Sequence, residues 1–490
     1  MNSPLWGHEG ERWQPEKTLP DFSYAGYRAN EVSIPSAPAT WNLKQDFHAI
    51  GDGKTDDSNA FERAFAAGPG VCYVPAGKYL ISRPLHLTHG NFVLRGDGAG
   101  RTVLFFPKPL SELFGNQTDR EGQSQWSFGP GFLKVEGRDS LGSDTKMADV
   151  VGTAKRGDTR LLLSHPVRIA PDEWIRLVEG DPPKGNPQNG SLIRFLYGNL
   201  MPGGEGLFGT SHVVRFLSRV KSMAGNTLEL ERPLPYDVRP EWTPEIHRFS
   251  PSVREVGIER LSIQFPWSPY PGHFKEAGYN ALTLEDVSQC WIRDVEIENA
   301  DFAIGMDNTN FCTLDGIRLT TSRDRATTPA AHGASGHHGI DIGGGTENLV
   351  THFDIRTKFL HDISLEWYVL HTVYADGHGV DLAIDHHREA NYSNLFTNVD
   401  CGLGTRPFAS GGSFDRGAHS GAYNVYWNIR AVNPLKLPAK EFGPLLTFVG
   451  ISTNATTDVR PDWNVEPLGP APLVPEDLAA AMRALRLGKR

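Results

Sequence analysis

Between Tyr279 and His387 the chain places acids at a repeating position. Five segments superimpose: Ala281-Leu-Thr-Leu-Glu285, Ala303-Ile-Gly-Met-Asp307, Gly339-Ile-Asp-Ile-Gly343, Asp362-Ile-Ser-Leu-Glu366 and Asp381-Leu-Ala-Ile-Asp385. The second and fourth residues of each are apolar, which is the alternation of a strand with one buried face. The polar column after them reads Glu285, Asp307, Gly343, Glu366, Asp385, and Asp341 lies one outward position earlier. Carboxyls stacked on one face repel one another, and crowding lifts the pKa of one of them. Two carboxyls of unequal pKa can cleave a glycosidic bond: one protonates the leaving oxygen and the other activates water. Asp341, Glu366 and Asp385 are the residues assigned to that chemistry, with Glu366 and Asp385 expected in one column on neighbouring strands. Asp307 stands behind them as a substrate contact.

The segment Asp385-His-His-Arg388 directly follows the last acid strand. His386, His387 and Arg388 are assigned to substrate hydroxyls or a uronate, because both side-chain types donate hydrogen bonds and can carry charge there. Gly402 to Gly412 is a Gly-rich loop without the Lys-Ser/Thr ending of a phosphate loop. It is read as a cleft wall that offers Arg406. Trp367 is read as a sugar platform. His337, His338 and His361 lie just ahead of strands, and His338 is assigned to substrate. No tight ligand spacing among them supports a metal site, so none is assigned.

These residues need an element that repeats. Leu282 to Ile304 spans 22 residues, Ile340 to Ile363 spans 23 and Ile363 to Leu382 spans 19. The longer step from Ile304 to Ile340 contains a Gly/Ala/His-rich stretch, read as a loop insertion. A period in the low twenties with short strands predicts a solenoid of β-coils whose strands stack ~4.8 Å apart. Cys290 and Cys312 then become stacked, buried thiols rather than a disulfide. Upstream, Asp46-Phe-His-Ala-Ile-Gly-Asp-Gly-Lys-Thr-Asp-Asp57 leads into a helix-like run, Ser58 to Ala67. Asp56, Asp57 and Ser58 are N-cap types, and a solenoid needs its first edge covered.

This opening resembles that of the pectate-lyase-like superfamily of parallel β-helix proteins. The resemblance implies an all-β, right-handed single-stranded parallel β-helix with an N-terminal capping helix. It also implies a carbohydrate as partner, since the superfamily includes lyases, hydrolases, transglycosidases and phage tailspikes. Asp376-Gly-His-Gly379 resembles the Gly-His-Gly of polygalacturonase-type hydrolases, without the acidic motifs of that family.

Five regions are expected. Residues 1–40 wrap the solenoid, 41–110 form the cap and first coils, and 111–250 carry an inserted β-subdomain. Residues 251–432 form the main coils, and 433–490 form a tail with a helix from Pro475 to Leu487 as a C-terminal cap or brace. A net charge of −10 argues against non-specific nucleic-acid binding. No apolar run is long enough to cross a membrane, and the expected location is secreted or periplasmic. Three functions fit: a glycoside hydrolase or transglycosidase, a lyase cleaving a uronate polymer by β-elimination, and a non-catalytic glycan-binding solenoid. No cofactor is expected for the first, while a lyase would take Ca²⁺ on the acids. A monomer or a homotrimer suits the fold.

Overall fold

The computed structural model describes residues 1–138, 144–199, 207, 214–454, 459–469 and 471–488. Short strands and turns repeat into a parallel β-helix with two long faces. One face is a sixteen-stranded sheet. The other has seven parallel strands: β1 (Leu85–Leu87), β2 (Leu133–Glu136), β3 (Asn280–Glu285), β4 (Phe302–Asp307), β5 (Gly336–Gly343), β6 (Phe359–Glu366) and β7 (Ile384–His386). The apolar columns run inward as the alternation requires. Leu282, Ile304, Ile340 and Ile363 are in register across β3 to β6, and all are buried.

Inside the coils, like stacks on like. Tyr374, Phe396, Tyr426 and Phe448 form a ladder with ring centroids 5.1, 5.3 and 4.8 Å apart and nearly parallel planes. Cys290 and Cys312 are buried free thiols. At the turns, amides take over from the strand ladder. Asn394 Oδ1 accepts from the Thr372 backbone amide, and Asn424 Oδ1 accepts from that of Asn394. Such bonds satisfy backbone groups that the bends would leave unpaired inside the protein.

The first edge is covered as a solenoid requires. A helix from Ser58 to Ala66 lays Phe61 and Phe65 against Tyr79 and Phe92. Asp56 Oδ1 accepts from the Ser58 amide at its start, while Asp57 takes the amides of Ile50 and Gly51 instead.

Two boundaries differ from the sequence reading. The strand at Leu133–Glu136 belongs to the coil face, so the insertion proper begins after it. From Thr145 to Arg248 the chain forms a six-stranded antiparallel sheet. Arg232 of this insertion is buried against Glu347 and His371 on the coil turns, which ties the two layers together. The coils also continue past residue 432, with strands at Thr447–Ile451 and Asn464–Pro467 added to the long sheet. Intervening Pro- and Lys-rich turns hide their period from the sequence.

The helix Leu478–Arg486, capped by Asp477, does not close the end of the solenoid. Leu478 and Met482 pack with Trp6, Leu19 and Phe22 of the first 40 residues over Val373, Leu395, Val425 and Trp427 on the flank of the long sheet. No helix among the described residues is long and apolar enough to cross a membrane.

Phe396 has a ring above and a ring below. Phe396→Ala is expected to cost about 3–5 kcal/mol through the cavity it leaves, read as a lowered midpoint of chemical denaturation.

Candidate active site

The outward residues of β2 to β7 floor a cleft of about 920 Å³. Its walls come from three loops, which contribute Phe128, His273 and Phe274, and Gly411 to Arg416. Asp307, Asp341, Glu366, Trp367 and His387 all line it, so the structure brings together five of the residues singled out from sequence.

The strand register revises how the acids relate. Glu285, Asp307, Gly343 and Glu366 form one column as expected. Asp385 does not extend it. Ile384, not Leu382, pairs with Ile363, so Asp385 falls opposite Ser364, which falls opposite Asp341. Asp341 and Asp385 therefore share a column with Ser364 between them. The cause is the turn before β7. Asp381 is held there by the Thr405 amide and hydroxyl and by Lys358, and the strand starts two residues later than the repeat suggested.

Each acid has a distinct environment. Glu285 is ion-paired with Lys134 at 2.8 Å, and Lys134 also reaches Glu136 at 3.0 Å. Asp307 is pushed up to about 6 by burial and by Glu285 and Asp286. Asp341 sits on the floor with its side chain 14% exposed. Burial, then Asp385 and Asp307, push its pKa up to about 8. Its Oδ1 has no hydrogen-bond partner among the described residues. Glu366 is raised well above the usual range by burial and by Asp341, while the charge of His387 opposes that rise.

Asp385 is the opposite case. Although buried, it is held well below the usual range by His361 and His387. Its Oδ2 lies 2.9 Å from His361 Nδ1 and 2.8 Å from His387 Nδ1 and accepts the Ser364 hydroxyl, while Oδ1 accepts the Gly411 amide. Asp385 in turn raises the pKa of His387 despite burial. The structure thus gives Asp385 the role of an ionised anchor for two imidazoles.

Four residues assigned to substrate are employed elsewhere. His386 points into the coil, where Nδ1 meets Asn391 Oδ1 at 2.6 Å and Nε2 meets the Tyr426 hydroxyl at 2.7 Å. The alternation of β7 requires this, since its neighbours Asp385 and His387 face out. Arg388 donates to the carbonyls of Gly412 and Gly417 and so braces the loop behind the cleft. Arg406 donates to the carbonyls of Asp381 and Leu360 and to Asp362 Oδ2 at 2.6 Å, which pins the turn before β7. His338 is buried beneath the floor, 3.9 Å from Asp341 through Nδ1. The Gly-His-Gly at 377–379 lies on the other face, where His378 meets Asp354.

Trp367 is 48% exposed beside the cleft, with the Arg416 guanidinium 5.6 Å from its ring. Trp367 and Tyr368 both hold positive φ, 55° and 61°. Such backbone costs on the order of 1–3 kcal/mol per residue and gathers at functional sites. Sequence reasoning missed Lys134, His273 and Phe128 as lining residues, while Arg416, read from sequence as part of the cleft wall, does line it. Lys134 and Phe128 lie more than 200 positions before Glu366, and only the coil register shows that β2 precedes β3 in space.

Comparison with known proteins agrees with this architecture. Residues 41–132 match the family described as rhamnogalacturonase A/epimerase, pectate lyase-like. The mannuronan C5-epimerase AlgE1 of Azotobacter vinelandii is 34% identical over 111 residues, covering 20% of this chain and 8% of that protein. Alginate lyase 7 of the same organism is 32% identical over 108 residues, covering 20% and 12%. A glucan 1,3-beta-glucosidase of Cochliobolus carbonum is 42% identical over 81 residues, covering 14% and 10%. The chain therefore spans only a small part of the length of these relatives. Among solved structures, the tailspike gp61 of Pseudomonas phage phi297 superimposes with a TM-score of 0.50 at 13% identity, over 83% of this chain and 66% of that one. Opening motif and stacked coils together make this chain a right-handed parallel β-helix protein whose residues 41–132 match a pectate-lyase-like family.

Proposed function

We propose that this protein is a carbohydrate-active enzyme that hydrolyses a glycosidic bond, with Asp341 as general acid and Glu366 as its ionised partner. One observation carries the reading: two buried carboxyls on the floor of an open cleft are both held above the usual range, Asp341 by burial, Asp385 and Asp307 and Glu366 by burial and Asp341, and the charge of His387 opposes the rise of Glu366 alone. That charge opposes protonation of Glu366 alone, so we assign the proton to Asp341 and the anion to Glu366. Asp341 then protonates the leaving oxygen, and Glu366 acts on water or on the anomeric carbon. Asp385 keeps His387 charged and oriented. Trp367 and Phe128, both exposed at the cleft, offer flat apolar faces to sugar rings.

A second reading has its own support. Lys134 and Arg416 at the cleft could neutralise a uronate carboxylate, and the relatives include a mannuronan C5-epimerase and an alginate lyase. Purified protein would be incubated with neutral and uronate polysaccharides while reducing ends and ultraviolet absorbance are followed. Reducing ends without absorbance support hydrolysis. New absorbance means elimination and sinks the first reading.

Asp341→Asn and Glu366→Gln are each expected to lower kcat by roughly 10²–10⁴-fold, the usual worth of a positioned acid or base, with the fold retained. Activity is expected to fall as pH rises through about 8, where Asp341 loses its proton.

The same group sets a stability test. Asp341 keeps its proton in the folded protein at pH values where the unfolded chain has released it. Stability is therefore lost as pH rises from the ordinary 3.8 towards about 8. Asp341→Asn escapes that loss, so its gain in Tm over the parent should grow between pH 4 and pH 8 in thermal melts. A constant difference would contradict the assignment.

A further inference from the structure

Five imidazoles crowd one wall of the cleft, more than acid–base cleavage uses. Ring centroids are 4.8 Å apart for His273 and His337, 4.2 Å for His337 and His338, 4.9 Å for His338 and His361, and 5.2 Å for His361 and His387. His387 is engaged by Asp385, and His338 lies beneath the floor. The other three offer ring nitrogens that all lie within 4.8 Å of one another. Nitrogens bound tetrahedrally to zinc at about 2.0–2.1 Å stand roughly 3.3 Å apart, so a modest inward swing closes the set. His273 is the residue that can make it, because it is exposed on a loop.

The polar neighbours of these rings point the same way. His337 Nδ1 lies 3.2 Å from the Ser127 carbonyl oxygen and 3.6 Å from Glu276 Oε1. His361 Nδ1 lies 2.9 Å from Asp385 Oδ2. The Ser127 carbonyl only accepts, so His337 Nδ1 carries the hydrogen and its Nε2 keeps its lone pair, and the ionised Asp385 carboxylate beside His361 Nδ1 favours the same tautomer there. Histidines that bind metal are oriented in this way by carboxylates and carbonyls behind them.

We infer that His273, His337 and His361 bind one divalent transition-metal ion of the zinc class on the cleft wall. Three nitrogen donors match zinc or cobalt rather than calcium, which takes oxygen ligands. All three residues line the cleft, so the remaining positions of the ion open to water or a sugar oxygen. His361, Asp385 and His387 form an overlapping set, but both oxygens of Asp385 are already engaged. The inference rests on the wall alone and stands whether the chemistry at Asp341 and Glu366 is hydrolytic or eliminative.

The full chain would be stripped with chelator, desalted and titrated with Co²⁺, then Zn²⁺. One equivalent of Co²⁺ should bind, with the visible absorption of a low-coordinate nitrogen site, and Zn²⁺ should displace it. His337→Gln and His361→Gln should weaken binding by at least ~100-fold, since loss of even a supporting partner costs 10–100-fold. His273→Gln, on the exposed loop, should also weaken binding without altering the fold, which guards against misfolding of the two buried variants. Glu366→Gln should lose cleavage yet keep the Co²⁺ spectrum, so failure of the metal site and failure of the hydrolytic reading are separable. Folded protein that takes up less than half an equivalent, or Co²⁺ affinity unchanged in His273→Gln, overturns the assignment.

Discussion

Stacking of coils in register governs everything else in this molecule. A side chain on a coil has its nearest neighbours one rung up and one rung down, some twenty positions away in sequence. The inner columns satisfy this cheaply, since Leu, Ile and aromatic rings gain contact by lying on their own kind. On the outer face the same rule forces acid beside acid. The protein answers differently at each rung. Lys134 neutralises Glu285, Gly343 leaves a gap, Ser364 separates Asp341 from Asp385, and two imidazoles hold Asp385 ionised. The repulsion that survives falls on Asp341 and Glu366, the pair with no cation committed to both.

Much of this was legible in the chain. The period of β3 to β6 and the direction of each side chain followed from alternation alone, because a buried face tolerates no slip of one residue. Asp341, Glu366, Trp367 and His387 reach the cleft as read. The slip at β7 was not legible. Asp381-Leu-Ala-Ile-Asp385 fits the pattern two residues early, and only the bonds from Thr405, Lys358 and Arg406 pull Asp381 and its neighbours into a turn. Arg388 and Arg406 look like substrate contacts for the same reason that they are not. A cation beside a Gly-rich loop serves carbonyls as readily as sugars. The wall residues His273 and Phe128 were hidden by distance in sequence, since loops of different coils meet only after stacking.

The inserted sheet shows how a regular solenoid carries an irregular passenger. Its own apolar core, with Phe216, Trp242 and Ile246, seats on Leu370 and Tyr392 of the coil turns. Arg232, buried between Glu347 and His371, is costly to desolvate and would be more costly to leave unpaired. Breaking that contact would strand charges on both layers, so the insertion and the coils are coupled in stability.

The belt on the flank has a consequence for biogenesis. Trp6, Leu19 and Phe22 pack on coils that end with Val449 and on a helix that ends with Arg486, and Asn2 bridges to Val474. Trp6, Leu19 and Phe22 are thus made hundreds of residues before the helix they pack on, and find their place only when Arg486 has emerged. At about 5–20 residues per second, that is a wait of roughly half a minute or more. Throughout it, Trp6, Leu19 and Phe22 travel without their binding surface, open to chaperones and to other nascent chains. The belt is not fastened until these two distant segments meet.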